Sequence, residues 1–290
     1  MGPVSGPDGV SAAVARLTGQ EVGEVRARSG AVTEVALRNG HVVMAKRGEN
    51  PGAVRAEAAG LRWLADAGTV RVPTVYGHDR HWLVTEHVAT GAPTAEAAVR
   101  LGQELAALHA AGAPAFGAPP PDGPADAYIG LAPMRNHPAD DWPEWYARDR
   151  VLPYLRQAVD QGALTPAEAA TVDRVCDRLP ALAGPSEPPA RLHGDLWNGN
   201  VLWGADGRAW LIDPAAHGGH RETDLAMLRL FGCPRLHDIE HGYRQTAPLA
   251  DGWRERVPLH QLFPLLVHVV LFGRGYVDRT LAAARAALGG

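Results

Sequence analysis

Between His193 and Asp213 the chain reads H-G-D-L-W-N-G-N-V-L-W-G-A-D-G-R-A-W-L-I-D, and three of its side chains carry oxygen where a metal-assisted reaction needs it. Asn200 follows Asp195 by five residues, and Asp213 closes the apolar run Leu211-Ile212. Residues 201–203 and 209–212 flank Ala205-Asp206-Gly207 as a hairpin, which folds Asp213 back beside Asn200. One amide oxygen and one carboxylate oxygen, both held on strands, suit a hard cation bound mainly through phosphate oxygens and water. Asp195 is then free to face a hydroxyl and take its proton. The competing reading is an Asx-rich turn in which Asp195 and Asn200 only bond their own backbone.

The interval from Asp195 to Asn200 is that of the H-x-D-x-x-x-x-N loop of kinases, with Gly194 in the second position in place of Arg. Phosphoryl transfer passes through a loose transition state, so the protein mostly positions reactants and neutralises charge, and three such side chains suffice. A second signal comes from composition. Lys46 is the only lysine among 28 Lys and Arg residues. A chain that uses arginine everywhere else has kept one compact ammonium, a point charge whose hydration and shape differ from those of a guanidinium.

The elements needed to position these groups are legible around them. Residues 21–29, 32–38 and 41–46 read as three antiparallel strands, with Arg38-Asn39-Gly40 as a turn and Lys46 ending the third. Ser29-Gly30-Ala31 forms the first hairpin's tip, whose backbone can approach phosphates or serve only as a turn. Glu57 comes eleven residues after Lys46, on a helix over 53–67 with an apolar stripe of Val54, Ala58, Leu61 and Leu64. From there it can hold the lysine over nucleotide phosphates. Strands over 70–76 and 81–88, separated by residues 77–80, precede a hinge-like break at 89–93. Backbone groups of Glu86 and Val88, around His87, can bond an adenine edge in an apolar cleft.

Downstream, 94–111 reads as a helix, and 112–138 as a long Pro- and Gly-rich connection whose Tyr128-Ile129-Gly130 segment can line a substrate mouth. Residues 141–161 read as a helix with a kink at Pro153, and the aromatic residues near its start as core. Thr165-Pro166-Ala167-Glu168 is a capping box opening a helix to about residue 179. Asp224, in a helix beginning near 221, either caps it or bonds the backbone of the 193–200 loop. Helices over 259–272 and 277–288 complete a mainly helical second half.

At 290 residues and 46% hydrophobic, with a net charge of -4, the chain is an ordinary globular protein. It has no basic block for nucleic acid or a membrane surface, and its apolar runs read as too short to span a bilayer. Residues 1–10 are Gly- and Pro-rich, carry no secretory-signal pattern and read as a loose terminus, so a cytoplasmic location is expected. Cys176 and Cys233 read as buried thiols, and the 13 histidines show no metal-binding spacing.

With these residues assembled, the chain resembles the fructosamine kinase (ketosamine-3-kinase) family, within the protein-kinase-like fold shared with aminoglycoside phosphotransferases and choline kinases. The resemblance rests on His193-Gly194-Asp195-Leu196-Trp197-Asn198-Gly199-Asn200, on Ile212-Asp213-Pro214-Ala215, and on Arg221-Glu222 with 224–228. Tyr128-Ile129-Gly130 and Leu271-Phe272-Gly273 add to it. It implies an α+β bilobal fold with a small antiparallel-sheet lobe carrying one helix (1–88) and a mainly helical catalytic and substrate lobe (89–290). By the same resemblance Asp195 activates the O3 hydroxyl of a fructosamine, ribulosamine or erythrulosamine, and Asn200 and Asp213 hold Mg2+. ATP is held by Ser29, Gly30, Lys46, Glu57, Glu86, His87 and Val88, while Trp197, His193 and His217 are the candidate substrate contacts. Such 3-phosphates shed the sugar, which points to repair of glycated amines or proteins by a monomer. Where the family shows an aromatic pair before Gly219 this chain has His217-Gly218, and its hairpin tip has fewer glycines than the family's. Phosphorylation of another amino-alcohol such as an aminoglycoside, or a non-catalytic ATP-binding scaffold, are the other functions that fit.

Overall fold

The computed structural model describes residues 7–289. Alternating apolar residues build a five-stranded antiparallel sheet from β1 (Val22–Ser29), β2 (Val32–Leu37), β3 (Val42–Arg47), β4 (Val75–His78) and β5 (Trp82–Glu86), in the order β1-β2-β3-β5-β4. The register sets Lys46 opposite Val32 on one side and Leu83 on the other. Among the described residues two helices belong to this lobe, one more than expected. α1 (Pro7–Thr18) lays Val10 and Val14 against Val35, Val43 and Val84 of the sheet. It corrects the loose-terminus expectation over residues 7–10; residues 1–6 lie outside those described. Its apolar stripe covers a sheet face that would otherwise meet water.

α2 (Pro51–Asp66) starts at Asn50, whose side chain accepts the Gly52 N–H, with proline at the first helical position. Val54, Ala58, Leu61 and Leu64 form its buried stripe. Residues 70–74 are not strand, and β4 instead uses Gly77 and His78, which the sequence suggested as a turn. Arg71 makes only an isolated bridge to Trp210.

The second lobe begins with α3 (Ala95–Ala110), capped by Thr94. The connection after it carries a short hairpin, β6 (Asp126–Ile129) and β7 (Ala132–Arg135). The predicted helix over 141–161 divides into α4 (Trp142–Trp145), a π turn at Tyr146–Val151 and α5 (Leu152–Asp160). Pro153 offers no N–H to the carbonyl one turn back, and the wider register accommodates that loss. α6 (Pro166–Leu182) opens on the complete Thr165–Glu168 capping box. Two short pairs of strands then shape the 193–219 region: β8 (Ala190–Leu192) with β11 (His217–Gly219), and β9 (Val201–Trp203) with β10 (Ala209–Leu211) in between.

α7 (Glu222–Leu230), α8 (Leu236–Thr246), α9 (Trp253–Phe272) and α10 (Val277–Ala287) follow. α8 packs on α3 backbone to backbone: a Cβ on Gly102 would lie 1.9 Å from Ile239 O, and one on Gly242 would lie 2.0 Å from Val99 O. Only glycine permits that approach. The expectation that every apolar run is too short for a bilayer is corrected, since Trp253–Ala287 is long and apolar enough. Leu259, Leu262, Phe263, Leu266 and Val269 of that stretch are buried in the helical core, which accounts for its apolarity.

Candidate active site

Lys46, Glu57, Asp195, Asn200 and Asp213 are brought together between the lobes. Lys46 Nζ lies 2.8 Å from Glu57 Oε2 and 3.0 Å from Asp213 Oδ1. Burial alone would lower its pKa, but the two carboxylates outweigh that and raise it, so the ammonium stays charged. Glu57 owes its place to α2, whose apolar stripe docks the helix so that its edge faces the end of β3.

The loop from 193 to 200 is fixed from below by Asp224 of α7, whose Oδ2 and Oδ1 accept the His193 and Gly194 N–H groups at 2.8 and 2.9 Å. Gly194 has φ of +82°, and a Cβ there would meet Ala215 O at 2.1 Å, so the turn admits only glycine. Asn200 Nδ2 donates to Asp195 O (2.8 Å), Asp195 Oδ2 (3.1 Å) and, more weakly, Asp213 O (3.4 Å). The Asx-turn reading therefore describes part of the geometry, yet it leaves the carboxylate itself in the cleft. Asp213 sits at φ +53°, a strained conformation for a non-glycine residue, held by the β9–β10 hairpin before it and Pro214 after it. Burial pushes the Asp195 pKa up to about 7; Asn200 opposes the shift, while Asp213 and Asp224 add to it.

Two chambers meet at Lys46, Glu57 and Asp213. One, of about 350 Å³, lies under the sheet between Met44, Leu83 and the 86–88 segment above and Leu202 and Ile212 below. The other, of about 300 Å³, holds Asp195, Asn200 and Trp197, with Tyr128, Ile129 and Gly130 from the β6–β7 tip and Pro264 to Phe272 from α9 around its mouth. A larger hollow of about 400 Å³ lies against Arg55, Ala59 and Arg62 of α2 and contains none of these groups.

The Glu86 carboxylate turns away to accept the Thr74 N–H and hydroxyl, leaving the strand-end backbone to face the first chamber. Ser29 and Gly30 stay at the exposed β1–β2 tip and do not line it. The substrate-contact expectation for His193 and His217 is corrected, because both are buried behind the loop. His193 Nε2 donates to Ile212 O at 3.0 Å and its Nδ1 accepts the Asp195 N–H. His217 Nδ1 donates to Ala215 O at 2.8 Å, and burial pushes its pKa down to about 3. Both rings join strands; neither faces the cleft.

Two groupings escaped the sequence. His109 of α3 bridges Asp224 (3.2 Å) and the Tyr243 hydroxyl of α8 (2.8 Å), tying distant helices to the loop. His220, Glu222 and His260 gather their ligand atoms within 4.8 Å, although no local spacing announces them. Arg256 already grips both Glu222 oxygens, at 2.9 and 2.6 Å, so the cluster is an internal ion-pair network.

The residues fit a hard cation. Asn200 spends its amide N–H on Asp195, and no donor among the described residues meets its Oδ1. Asp213 keeps one oxygen clear of Lys46 and is half-exposed to the cleft. Oxygen donors few in number, open to solvent and to phosphate, are the donor set magnesium takes.

The sequence pattern of the family described as fructosamine kinase matches residues 23–288. This chain belongs to the fructosamine kinase family. A probable ketoamine kinase of Synechocystis is 36% identical over 229 residues, covering 77% of this chain and 74% of that one. A crystal structure from Thermobifida fusca, named as a candidate fructosamine-3-kinase, superposes with a TM-score of 0.92 at 52% identity, over 98% of this chain and 100% of that one. A choline kinase from Streptococcus pneumoniae, 16% identical, shares the fold alone, with a TM-score of 0.64 over 98% and 99% of the two chains. The fold is therefore the bilobal kinase-like one, and the family is one of phosphotransferases acting on hydroxyl groups. Membership implies ATP as the phosphoryl donor.

Proposed function

We propose that this enzyme transfers the γ-phosphate of ATP to the O3 hydroxyl of a ketosamine, whether a fructosamine, ribulosamine or erythrulosamine. The observation that carries the reading is the pair of chambers meeting at Lys46, Glu57 and Asp213, with Asp195 in only one of them. Adenine fits the apolar first chamber, its edge on the backbone of Glu86 and Val88 around His87, while Lys46, steadied by Glu57, meets the phosphates. Ser29 and Gly30 would reach those phosphates only if the β1–β2 tip folded down. Asn200 Oδ1 and the Asp213 carboxylate would hold magnesium, which when bound neutralises charge on the phosphate oxygens.

Asp195 accepts the proton of the acceptor hydroxyl. That oxygen bonds to the γ-phosphorus as the bond from phosphorus to the β–γ bridging oxygen breaks, releasing ADP. A pKa near 7 suits a base that must be ionised before the reaction and able to hold a proton after it. Trp197 forms one wall of the acceptor chamber. Deglycation follows from the product's chemistry: enolisation toward C1 expels phosphate from C3, and water releases the amine from the imine that remains.

We place the lobe boundary after Val88 and the enzyme in the cytoplasm, where ATP is available and free thiols such as Cys176 and Cys233 persist. It acts as a monomer, with no nucleic-acid or membrane partner. The test offers ATP and magnesium with a ribulosamine, an erythrulosamine, a fructosamine and an aminoglycoside, and measures ADP release. Turnover of at least one ketosamine is expected. Turnover of the aminoglycoside alone, or ATP binding without turnover of any acceptor, as a scaffold would show, overturns the reading.

A further inference from the structure

The acceptor chamber has two unlike halves. Its floor carries Asp195, Asn200 and Asp213, whereas its outer wall is built from rings. Trp197 meets Phe231 edge-on with centroids 6.0 Å apart, and Phe231 lies 5.0 Å from His268. His268 in turn lies 4.8 Å from Tyr276 and 5.5 Å from Phe272. The rings come from the 193–200 loop, the end of α7 and the end of α9 with the turn after it, so each holds its neighbour in orientation.

Phe231 and Tyr276 pack on the helical core behind the lining, but burial does not account for Trp197 and Phe272. Four large hydrophobic side chains are exposed among the described residues, and Trp197 (39%) and Phe272 (64%) line this chamber. Leu131, 82% exposed, follows Gly130 of the lining at the β6–β7 tip. An apolar patch gathered beside a reactive carboxylate marks a surface that a ligand covers.

The wall's polar groups are already engaged or uncharged. Tyr128 accepts a hydrogen bond from Asn50, and His268 Nδ1 donates to Pro264 O at 2.6 Å, its ring kept neutral by burial. Arg279 lies 5.1 Å from the Phe231 ring and is bound to Leu230 O. The acids lining the chamber are Glu57, Asp195 and Asp213. A ligand bearing several separated ammonium groups would therefore find no carboxylate along the wall among the described residues.

Resting on the ketosamine reading, we propose that the ring wall is the subsite for the acceptor's amine substituent, and that the preferred acceptors carry an apolar or aromatic group on nitrogen. In a ketosamine the nitrogen is only a few bonds from O3, so a molecule with O3 at Asp195 delivers its substituent to the chamber's mouth. Ring faces attract the protonated secondary amine, and the substituent beyond it leaves water against Phe272 and Leu131.

The test uses the whole protein and ketosamines of one sugar built on benzylamine, ethanolamine or glycine, with KM and kcat measured separately. The benzylamine acceptor is expected to show a KM about tenfold below the other two, the scale of one partly buried ring. Phe272→Ser combined with Leu131→Ser should remove that preference, with the loss falling in KM. Both side chains are exposed, so folding is not at stake; a thermal melt checks it. Equal KM values across the three amines, or a preference that survives in the double variant, overturns the subsite while leaving the ketosamine reading standing. If none of the three is phosphorylated, the ketosamine reading falls and the subsite with it.

Discussion

Asp195→Asn separates a functional carboxylate from a structural one, because the two roles predict opposite changes in stability. Burial, Asp213 and Asp224 together move the Asp195 pKa from 3.8 to about 7. A shift of roughly three units corresponds to ~4 kcal/mol of penalty for keeping the folded-state charge at pH 8, taken at ~1.4 kcal/mol per unit. The side chain is partly solvated, and screening reduces the figure to about 1–2 kcal/mol. An amide at this position still offers an oxygen to Asn200 Nδ2, so the variant loses the penalty and keeps the bond. It should be more stable than the parent at pH 8 by that amount, a rise in Tm of roughly 2–4 °C per kcal/mol.

The sign follows from linkage. Well below the unfolded value of 3.8 the carboxyl is neutral in both the folded and unfolded chain, so the difference vanishes; it grows as pH climbs from there toward 7 and then levels off. Urea denaturation of both proteins at pH 5 and pH 8 measures it. Turnover should fall by about 10²–10⁴, the usual contribution of a positioned base, while ATP binding persists. Equal or lower stability of the variant at pH 8 would refute the reasoning and return Asp195 to the role of a turn residue.

Other outcomes follow from the same geometry. kcat/KM for the acceptor should rise with pH through about 7 as Asp195 ionises, measured from pH 5.5 to 8.5 at saturating ATP; a flat profile would contradict a base so displaced. Lys46→Arg keeps the charge but not the compact fit between Glu57 and Asp213, and should lower kcat/KM by about 10–100-fold in a coupled ADP assay. Asn200→Leu should raise the magnesium concentration needed for half-maximal turnover, read from a titration after chelation. Asp224→Leu strands the buried N–H groups of His193 and Gly194, and should cost about 2–5 kcal/mol in urea denaturation.

The site was legible where chemistry and local structure coincide. The hairpin from Val201 to Leu211 fixes where Asp213 falls, and its turn residues are a short-range signal. Lys46 and Glu57 were visible because a strand and an amphipathic helix each have a period that survives in one sequence. What failed depended on distant partners. α1 was hidden among glycines and prolines, and its two valines matter only against the sheet. α8 is polar along much of its length and docks with Gly242 against Val99 and Ile239 against Gly102, a fit that no periodicity records. His193 and His217 look like site residues by adjacency, but strand pairing of β8 with β11 turns both rings inward. The mouth formed by α9 lies some seventy residues from the loop it faces, and only Leu271-Phe272-Gly273 hinted at it.

The central claim is that a hydroxyl on a ketosamine receives phosphate at Asp195, and the position of the phosphate on the product tests it most directly. A carbon-13-labelled ketosamine incubated with ATP, magnesium and the enzyme, followed by phosphorus–carbon and phosphorus–proton NMR, reports that position. A new ester on C3 is predicted. Phosphate on another carbon, or ADP accumulating with no phosphorylated acceptor, would contradict the account.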